Sequence, residues 1–249
     1  MNTPTTAVTG AVHSFDLSTG VDGPGTRFVA FLAGCPLRCL YCHSPDTWHR
    51  RNGTPTTVDE LTDEISRYER FIKVAGGGVT LSGGEPLQQP AFTREVLRRC
   101  HDRGLHTALD TSGYLGDHAD DTLLVATDLV LLDVKSFDPV TYHDVTRTGQ
   151  VEPTLRFARR LSDTGKPMWI RFVLVPGLTD APANIEALAG FAASLHGVQR
   201  VEVLPFHRLG AHKYAALGLD FPLARVEPPD AGAVERARAT FQAHGLTTY

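Results

Sequence analysis

The sequence predicts an α/β fold, a partial (β/α)6 barrel with parallel strands, on the basis of three observations. Six short apolar runs alternate with segments of helical periodicity along the 249 residues. Strands that alternate with helices imply right-handed crossovers and a parallel sheet. Polar and reactive side chains follow the ends of these runs, where parallel α/β folds bind ligands. Six units are too few to close an eight-stranded barrel, so the barrel is expected to be open. A flat, doubly wound sheet is the alternative.

The first unit begins with a strand over residues 27–33 that leads directly into a loop containing three cysteines. Thr57 and Glu60 have the spacing of a capping box, in which each side chain accepts a hydrogen bond from the other residue's backbone N–H. Apolar residues then recur at helical spacing as far as Ile72, and the glycines at 76–78 end the helix.

The remaining units repeat this pattern. Strands are predicted over residues 79–82, 106–110, 129–135, 168–175 and 201–204, and helices over residues 90–103, 117–125, 153–163, 181–195 and 230–244. The run at 129–135 is almost continuously apolar, as expected for a buried parallel strand. Gly104 and Gly165 end two of the helices. Cys100 lies on the apolar face of its helix and is expected to pack as a small hydrophobic residue.

Composition excludes several classes of protein. Hydrophobic residues make up 42% of the chain, charged residues make up 21%, and the net charge is -4, which is ordinary for a globular protein. There is no basic run that would favour nucleic acid, and no apolar run long enough to span a membrane. The N-terminus lacks the features of an export signal, so a cytoplasmic location is expected. In a reducing compartment, clustered cysteines indicate metal binding rather than disulfides.

Cys35, Cys39 and Cys42 form a C-x3-C-x2-C motif. Thiolates suit iron–sulfur clusters, zinc or Cu(I), and three of them can hold three corners of a cubane cluster while leaving one iron open to a substrate. Zinc with His43 as the fourth ligand is an alternative, although zinc sites usually use two separated ligand pairs. The C-x-x-C-H pattern also matches haem attachment, which would leave Cys35 unused. A thioredoxin-like redox pair is the weakest alternative, because three cysteines are present.

Reactive groups also follow the other predicted strands. They are Ser82 with Gly83, Gly84 and Glu85, then Asp110 with Thr111 and Ser112, then Asp133 with Lys135, then Arg171, and finally His207. The two glycines allow a ligand to approach the backbone closely, although an ordinary β-to-α turn has the same composition. Asp133 and Lys135 share one strand face, so they either pair with each other or meet a charged ligand. Arg171 interrupts an apolar strand and requires a partner or a polar cavity. Asp110 is either a structural cap or a cation ligand. His207, considered by itself, has the pattern of an ordinary surface histidine.

With these residues in view, the chain closely resembles the pyruvate formate-lyase-activating enzymes, which are radical S-adenosylmethionine (SAM) enzymes that activate glycyl-radical enzymes. The resemblance runs from about His13 to the last residue. It rests on residues 21–27 (VDGPGTR), 39–43 (CLYCH), 76–80 (GGGVT), 82–85 (SGGE), 109–111 (LDT), 127–130 (TDLV), 169–171 (WIR) and 204–205 (LP) with His207, and on Gly210, His212, Lys213, Pro228 and Pro229. The three-cysteine motif alone is shared by the whole superfamily, and the combination narrows the resemblance to the activases.

The resemblance implies a role for each matching position. Cys35, Cys39 and Cys42 would hold a [4Fe–4S] cluster and, with Lys135 and Arg171, would form the catalytic set. The SAM site would comprise Tyr41, Cys42, His43, Gly83, Gly84, Glu85, Asp133, Val134, Lys135 and His207. Asp110 and Thr111 would bind a monovalent cation, Na⁺ or K⁺. Asp22, Gly23 and Arg171 would meet the partner protein. The chain would be a single radical SAM domain over 1–249, with a core of about 27–207, an N-terminal segment of 1–26 that contains the DGPG turn, and a C-terminal extension of 208–249.

The implied activity is the activation of pyruvate formate-lyase. The reduced cluster would cleave SAM to methionine and a 5′-deoxyadenosyl radical, which would remove a hydrogen atom from a glycine Cα of that enzyme. Flavodoxin or ferredoxin would supply the electron, and the chain would be a monomer. Four cysteines in all, without a cysteine-rich insertion, indicate the short, single-cluster type. The alternatives are an activase of a different glycyl-radical enzyme and a non-catalytic cysteine-rich zinc or iron–sulfur protein that senses redox state.

Overall fold

All six predicted parallel strands are present in one sheet of eight strands. The computed structural model describes residues 7–249, so residues 1–6 of the predicted N-terminal segment lie outside the described part of the chain. The strands are β1 (Thr9–Thr19), β2 (Thr26–Leu32), β3 (Thr54–Thr57), β4 (Gly78–Gly83), β5 (His106–Thr111), β6 (Leu129–Asp133), β7 (Met168–Leu174) and β8 (Val198–Pro205). Their spatial order is β3-β1-β2-β4-β5-β6-β7-β8. From β2 to β8 every neighbouring pair is parallel. These strands follow one another in chain order, without the reversal of a doubly wound sheet, which confirms the predicted partial barrel.

Helices follow the strands as the alternation predicts. They are α1 (Val58–Val74), α2 (Pro90–Asp102), α3 (Asp121–Val125), α4 (Pro139–Thr146), α5 (Val151–Asp163), α6 (Pro182–Ala193), α7 (Ala211–Ala216) and α8 (Ala231–Ala243). The capping box at the start of α1 is confirmed, because the Glu60 N–H donates to the Thr57 hydroxyl and the Thr57 N–H donates to the Glu60 carboxylate. Cys100 is buried in the apolar core, as predicted. No helix within residues 7–249 combines the length and apolar character needed to cross a bilayer.

The structure differs from the prediction in several elements. The antiparallel strands β1 and β3 were not predicted, because the exposed half of β1 is largely polar and lacks an apolar run. The short helices α4 and α7 were also not predicted. The helix predicted over 117–125 is wrong at its start, since Asp120 caps the N–H of Leu123 and α3 begins only at Asp121. Strand β6 ends at Asp133 rather than at residue 135.

Alternation along the strands separates an apolar face from a polar interior. Leu109 and Ile170 point toward the helices and are fully buried in the core. The neighbouring positions Asp133, Arg171 and Glu202 pair across β6, β7 and β8, so their side chains share the opposite face. The inner face of the open barrel therefore carries charged groups near the carboxyl ends of its strands, which is where parallel α/β folds bind ligands.

Candidate functional site

A cavity of about 440 Å³ lies at the carboxyl ends of the parallel strands. The predicted site residues that line it are Asp22, Cys35, Cys39, Tyr41, Cys42, His43, Gly83, Gly84, Asp110, Thr111, Asp133, Lys135, Arg171 and His207. Gly23, Glu85 and Val134, which were also predicted as site residues, are not part of this lining. Residues from widely separated parts of the chain thus meet around one space, as the strand pattern predicted.

Backbone hydrogen bonds and one arginine hold the cysteine loop in place. The Cys35 N–H donates to the carbonyl of Trp48 at 3.1 Å, and the Cys42 N–H donates to the carbonyl of Cys39 at 3.1 Å. Arg38 donates to the carbonyl of Cys35 at 2.7 Å. All three thiols of the motif are free and partly exposed. The loop therefore presents three unpaired thiols along one wall of the cavity.

Burial strongly disfavours the ionised form of these thiols. It raises the pKa of Cys39 to about 12 and also raises the pKa values of Cys35 and Cys42. A metal centre would have to displace these protons, because thiolates are the ligands that metals bind. Within residues 7–249, no three His, Cys, Asp or Glu side chains are grouped closely enough to hold a single metal ion. The thiols are therefore not gathered around one point, as a mononuclear zinc site would require.

Glu85 lies behind the cavity and fixes its wall. Its carboxylate is fully buried and accepts hydrogen bonds from the Thr111 hydroxyl at 2.7 Å, the Ser112 hydroxyl at 2.6 Å, and the N–H groups of Ser112 and Leu87. Burial raises the pKa of Glu85, while these four donors favour its ionised form. Glu85 thus joins the turn after β4 to the end of β5, and its side chain has no free oxygen position directed at a ligand. Val134 is likewise buried in the core.

Asp133, Lys135 and Tyr41 form a polar group with unused hydrogen-bonding capacity. Lys135 forms a salt bridge with Asp133, and its Nζ lies 5.5 Å from the centre of the Tyr41 ring. Burial opposes the charge of Lys135, but Asp133, Tyr41 and Cys39 outweigh it and raise the pKa of Lys135 well above its usual range. The Asp133 Oδ1 and the Tyr41 hydroxyl are buried and have no hydrogen-bond partner among residues 7–249. Unsatisfied buried polar atoms beside a cavity indicate that a polar ligand completes the site.

Arg171 is the centre of a buried ionic network. Its guanidinium lies 3.3 Å from Asp110 and 3.1 Å from Glu202, and it donates to the carbonyl of Val21 at 3.0 Å. Burial opposes the charge of Arg171, but Asp110 and Glu202 raise its pKa. Sequence analysis missed Glu202. The signal was available, since Glu202 interrupts an apolar strand in the same way as Arg171 does.

The turn that contains Asp22 and Gly23 is anchored to the sheet beside this network. The Thr80 hydroxyl donates to the Asp22 carbonyl at 2.7 Å, and the Arg27 Nε donates to the same hydroxyl at 2.9 Å. Burial raises the pKa of Asp22. Gly23 has a backbone φ of 122°, which a residue with a side chain rarely adopts. The turn is thus anchored to the sheet beside the cavity, and Arg171 contacts the preceding residue, Val21.

Two histidines close another side of the cavity. The rings of His43 and His207 stack with their centres 4.1 Å apart and an angle of 29° between their planes. Burial and the neighbouring His207 lower the pKa of His43. His207 is therefore part of the cavity wall and not an isolated surface histidine. The stacked pair presents a flat face of the kind that aromatic ligand groups contact.

Comparison with known proteins assigns the chain to a family. The Radical SAM superfamily matches residues 29–189. The chain is 40% identical over 241 residues to the pyruvate formate-lyase 1-activating enzyme of Escherichia coli (strain K12), covering 96% of this chain and 98% of that protein. It is 44% identical over 236 residues to the pyruvate formate-lyase-activating enzyme of Staphylococcus epidermidis, covering 92% of this chain and 93% of that protein.

Solved structures agree with this assignment. A domain of a pyruvate formate-lyase-activating enzyme from Bacteroides vulgatus matches with a TM-score of 0.59 and 27% identity, covering 70% of this chain and 98% of that chain. A radical SAM methyltransferase from Sphaerobacter thermophilus matches with a TM-score of 0.64 and 18% identity, covering 100% of this chain and 74% of that chain, and supports the fold alone. Membership of the superfamily implies SAM and a [4Fe–4S] cluster as cofactors. The chain belongs to the radical SAM superfamily and, within it, to the pyruvate formate-lyase-activating enzymes.

Proposed function

We propose that this protein activates pyruvate formate-lyase by generating a glycyl radical on it. The observation that carries the proposal is the meeting of three free thiols with Lys135, Asp133 and Arg171 around one cavity. Similarity to activating enzymes over more than nine tenths of the chain supports the choice of protein substrate. The protein's contribution to this activity is to position the reactants, because a reactive radical requires a site that orients its target and excludes water.

The residues of the cavity suit both cofactors. Cys35, Cys39 and Cys42 would hold the cluster, and three thiols without a fourth protein ligand would leave one iron available to SAM. When bound, the reduced cluster and SAM supply a 5′-deoxyadenosyl radical, which takes a hydrogen atom from a glycine Cα of the partner. The protein's own residues bind the cofactors, position them and shield them from solvent.

The charged and polar groups of Lys135, Asp133 and Tyr41 suit a zwitterionic cofactor. Lys135 keeps its proton at neutral pH, since the adjacent Asp133 carboxylate raises its pKa. The free Asp133 oxygen can accept a hydrogen bond, and the Tyr41 hydroxyl can donate one. Tyr41, His43, Gly83, Gly84 and His207 would complete the SAM site together with this pair. Glu85 and Val134 would support it from behind, because neither side chain lines the cavity.

Asp22, Gly23 and Arg171 would receive the glycine-bearing segment of the partner. Arg171 connects the segment before the Asp22 turn to β5, since it contacts both the Val21 carbonyl and Asp110. A monovalent cation at Asp110 and Thr111 would share the Asp110 carboxylate with Arg171. The Thr111 hydroxyl already donates to Glu85, so it would offer the cation only its acceptor side.

Three further features complete the proposal. Flavodoxin or ferredoxin would supply the electron, and the protein would act as a cytoplasmic monomer. The chain would form a single radical SAM domain, with a core of about 27–207 between an N-terminal segment of 1–26 and a C-terminal extension of 208–249. The sheet supports a single unit, because β1 pairs antiparallel with β2 along most of its length.

The test is glycyl-radical formation under anaerobic conditions. The reconstituted protein is mixed with SAM, dithionite and pyruvate formate-lyase, and the radical is measured by electron paramagnetic resonance. We expect Cys39→Ala to abolish both the radical and the release of 5′-deoxyadenosine. Cys100→Ala is the matched control, since Cys100 is a buried cysteine of the core, outside the cavity, and this variant should retain both. Wild-type yields from Cys39→Ala would refute the assignment.

Two other outcomes would identify the alternatives. Iron and acid-labile sulfide analysis after anaerobic purification separates a cluster enzyme from a zinc protein, because zinc without sulfide would indicate a non-catalytic binding protein. Cleavage of SAM without a radical on pyruvate formate-lyase would indicate an activase of a different glycyl-radical enzyme.

A further inference from the structure

Four arginines flank the cysteine loop, and we call Arg38, Arg50, Arg51 and Arg147 the arginine surface. Arg38 lies within the loop and donates to the carbonyls of Cys35 and Leu37 at 2.7 and 2.8 Å. Arg50 and Arg51 belong to a short 3-10 helix over Arg50–Asn52. The Cβ of Arg50 lies 3.6 Å from the position that a Cβ on Gly34 would occupy, so this helix contacts the start of the loop.

Arg147 follows α4 and lies between two residues that bond the loop. The residues on either side of it hold the loop, because the Arg38 N–H donates to the Thr146 carbonyl at 2.8 Å and the Thr148 hydroxyl donates to the Pro36 carbonyl at 2.9 Å. Arg147 has φ 63° and is the one non-glycine residue with positive φ within residues 7–249. Glycine is the usual residue in this left-handed conformation, so the chain retains an arginine here despite a conformational cost.

The charges of the arginine surface are not neutralised by the protein itself. Arg50, Arg51 and Arg147 are exposed, and none of them forms a salt bridge with a carboxylate in the described part of the chain. Asp46, which follows the loop in sequence, is paired with Lys213 at 3.1 Å. The whole chain has a net charge of -4, whereas Arg50, Arg51 and Arg147 place three exposed positive charges beside the loop. Such asymmetry orients an acidic partner toward one face and raises its rate of association.

We propose that an acidic one-electron carrier protein docks on the arginine surface. This rests on the proposed function, because it names the surface at which the reductant of that reaction binds. In the step the carrier loses one electron and the cluster gains it, with no proton transferred and no bond broken. The position of the arginines supports this occupant over other acidic molecules, since they surround the loop whose thiols would hold the redox centre. Arg38 itself belongs to that loop, between Cys35 and Cys39.

The test measures binding separately from catalysis. Oxidised flavodoxin, an acidic flavin protein, is titrated against the anaerobically reconstituted protein by calorimetry at several salt concentrations. We expect the double variant R50E/R51E to raise the Kd by about tenfold or more and to flatten its dependence on salt. We also expect Arg147→Gly to weaken binding while maintaining or raising the melting temperature, because glycine adopts the left-handed conformation without strain.

The matched control is the double variant R70E/R236E. It changes the net charge by the same amount as R50E/R51E. Arg70 and Arg236 are also exposed and form no salt bridge in the described chain, but they lie on α1 and α8, outside the arginine surface. We expect its Kd to stay within about twofold of the wild-type value, since long-range charge effects are screened by salt. An equal loss of affinity in both double variants would overturn the proposal, because net charge alone would then explain the binding. Failure of the wild-type protein to bind either flavodoxin or a ferredoxin would also overturn it.

Reduction by dithionite separates this proposal from the proposed function. With dithionite, R50E/R51E should form the glycyl radical at the wild-type level, whereas with reduced flavodoxin its rate should fall in parallel with its affinity. A wild-type protein that forms no radical with dithionite would refute the proposed function, and the calorimetric comparison would still decide whether the carrier docks here. Equally tight, salt-sensitive binding of DNA or anionic vesicles to the wild-type protein would overturn the proposal in favour of a general polyanion surface.

Discussion

Replacing Arg171 by methionine would test whether the buried ionic network is required for the partner rather than for SAM. The substitution keeps most of the side-chain volume but removes the cation that lies 3.3 Å from Asp110 and 3.1 Å from Glu202. Glu202 keeps a second salt bridge, to Arg200, so Asp110 is the carboxylate left without a cation. It also removes the hydrogen bond to the Val21 carbonyl. The Arg171 side chain is only 10% exposed, so solvent screens these contacts little. Removing one partner of a buried ion pair typically costs about 3–5 kcal/mol.

The unfolding free energy of Arg171→Met is measured by urea denaturation, alongside the double variant R171M/D110N. We expect a loss of about 3–5 kcal/mol in the single variant and a partial recovery in the double variant, because one uncompensated carboxylate has been removed. In functional assays we expect glycyl-radical formation to fall strongly while SAM binding is retained. A stability within about 1 kcal/mol of wild type would refute the network, since that is the size of an exposed ion pair. A matching loss of SAM affinity would instead move Arg171 into the cofactor site.

Two other predictions follow from close contacts. A Cβ on Gly84 would lie 2.3 Å from the carbonyl oxygen of Gly34. Gly84→Ala should therefore displace the cysteine loop and lower the iron and sulfide content after reconstitution. Gly190→Ala is the control and should leave that content unchanged, because the nearest atom to its added Cβ would be 3.7 Å away. Burial and the charge of Arg27 lower the pKa of His106, whose ring accepts a hydrogen bond from Arg27. As the pH falls, His106 is therefore protonated in the unfolded chain before it is protonated in the folded protein. Stability should therefore fall as pH drops below about 6.5, and His106→Gln should reduce that fall in melting temperature; an identical slope in both proteins would exclude His106 as the cause.

The sequence predicted the parallel part of the fold because each strand and helix carries its own periodic signal. The capping box at Thr57 and Glu60 is an example, since both partners lie within one helical turn. Strands β1 and β3 were missed for the opposite reason. They are stabilised by pairing with β2 and with each other, and their exposed residues carry little local hydrophobic pattern.

The site residues were predicted as a set, but their contacts were not. Asp133 and Lys135 are two residues apart, and their pairing was one of the two interpretations considered. Glu85 was placed in the SAM site because the family resemblance implies that role for the residues that follow β4. In the structure its carboxylate binds Thr111 and Ser112, more than twenty-five residues further along the chain. No local pattern distinguishes a carboxylate that faces a cavity from one that joins two strands behind it.

The sequence by itself determined the chemistry available to this protein. Three closely spaced thiols at the end of a strand, followed by polar groups at the ends of the next strands, predicted a metal-binding α/β site, because covalent spacing and strand direction determine which groups meet. The family resemblance then indicated an iron–sulfur cluster at that site. Only the tertiary structure decided how those groups are held. Arg171 depends on a carbonyl 150 positions away in the chain, and the arginines beside the loop come from three separate segments. Such arrangements arise from packing, which brings distant residues together without leaving a local signal in the sequence.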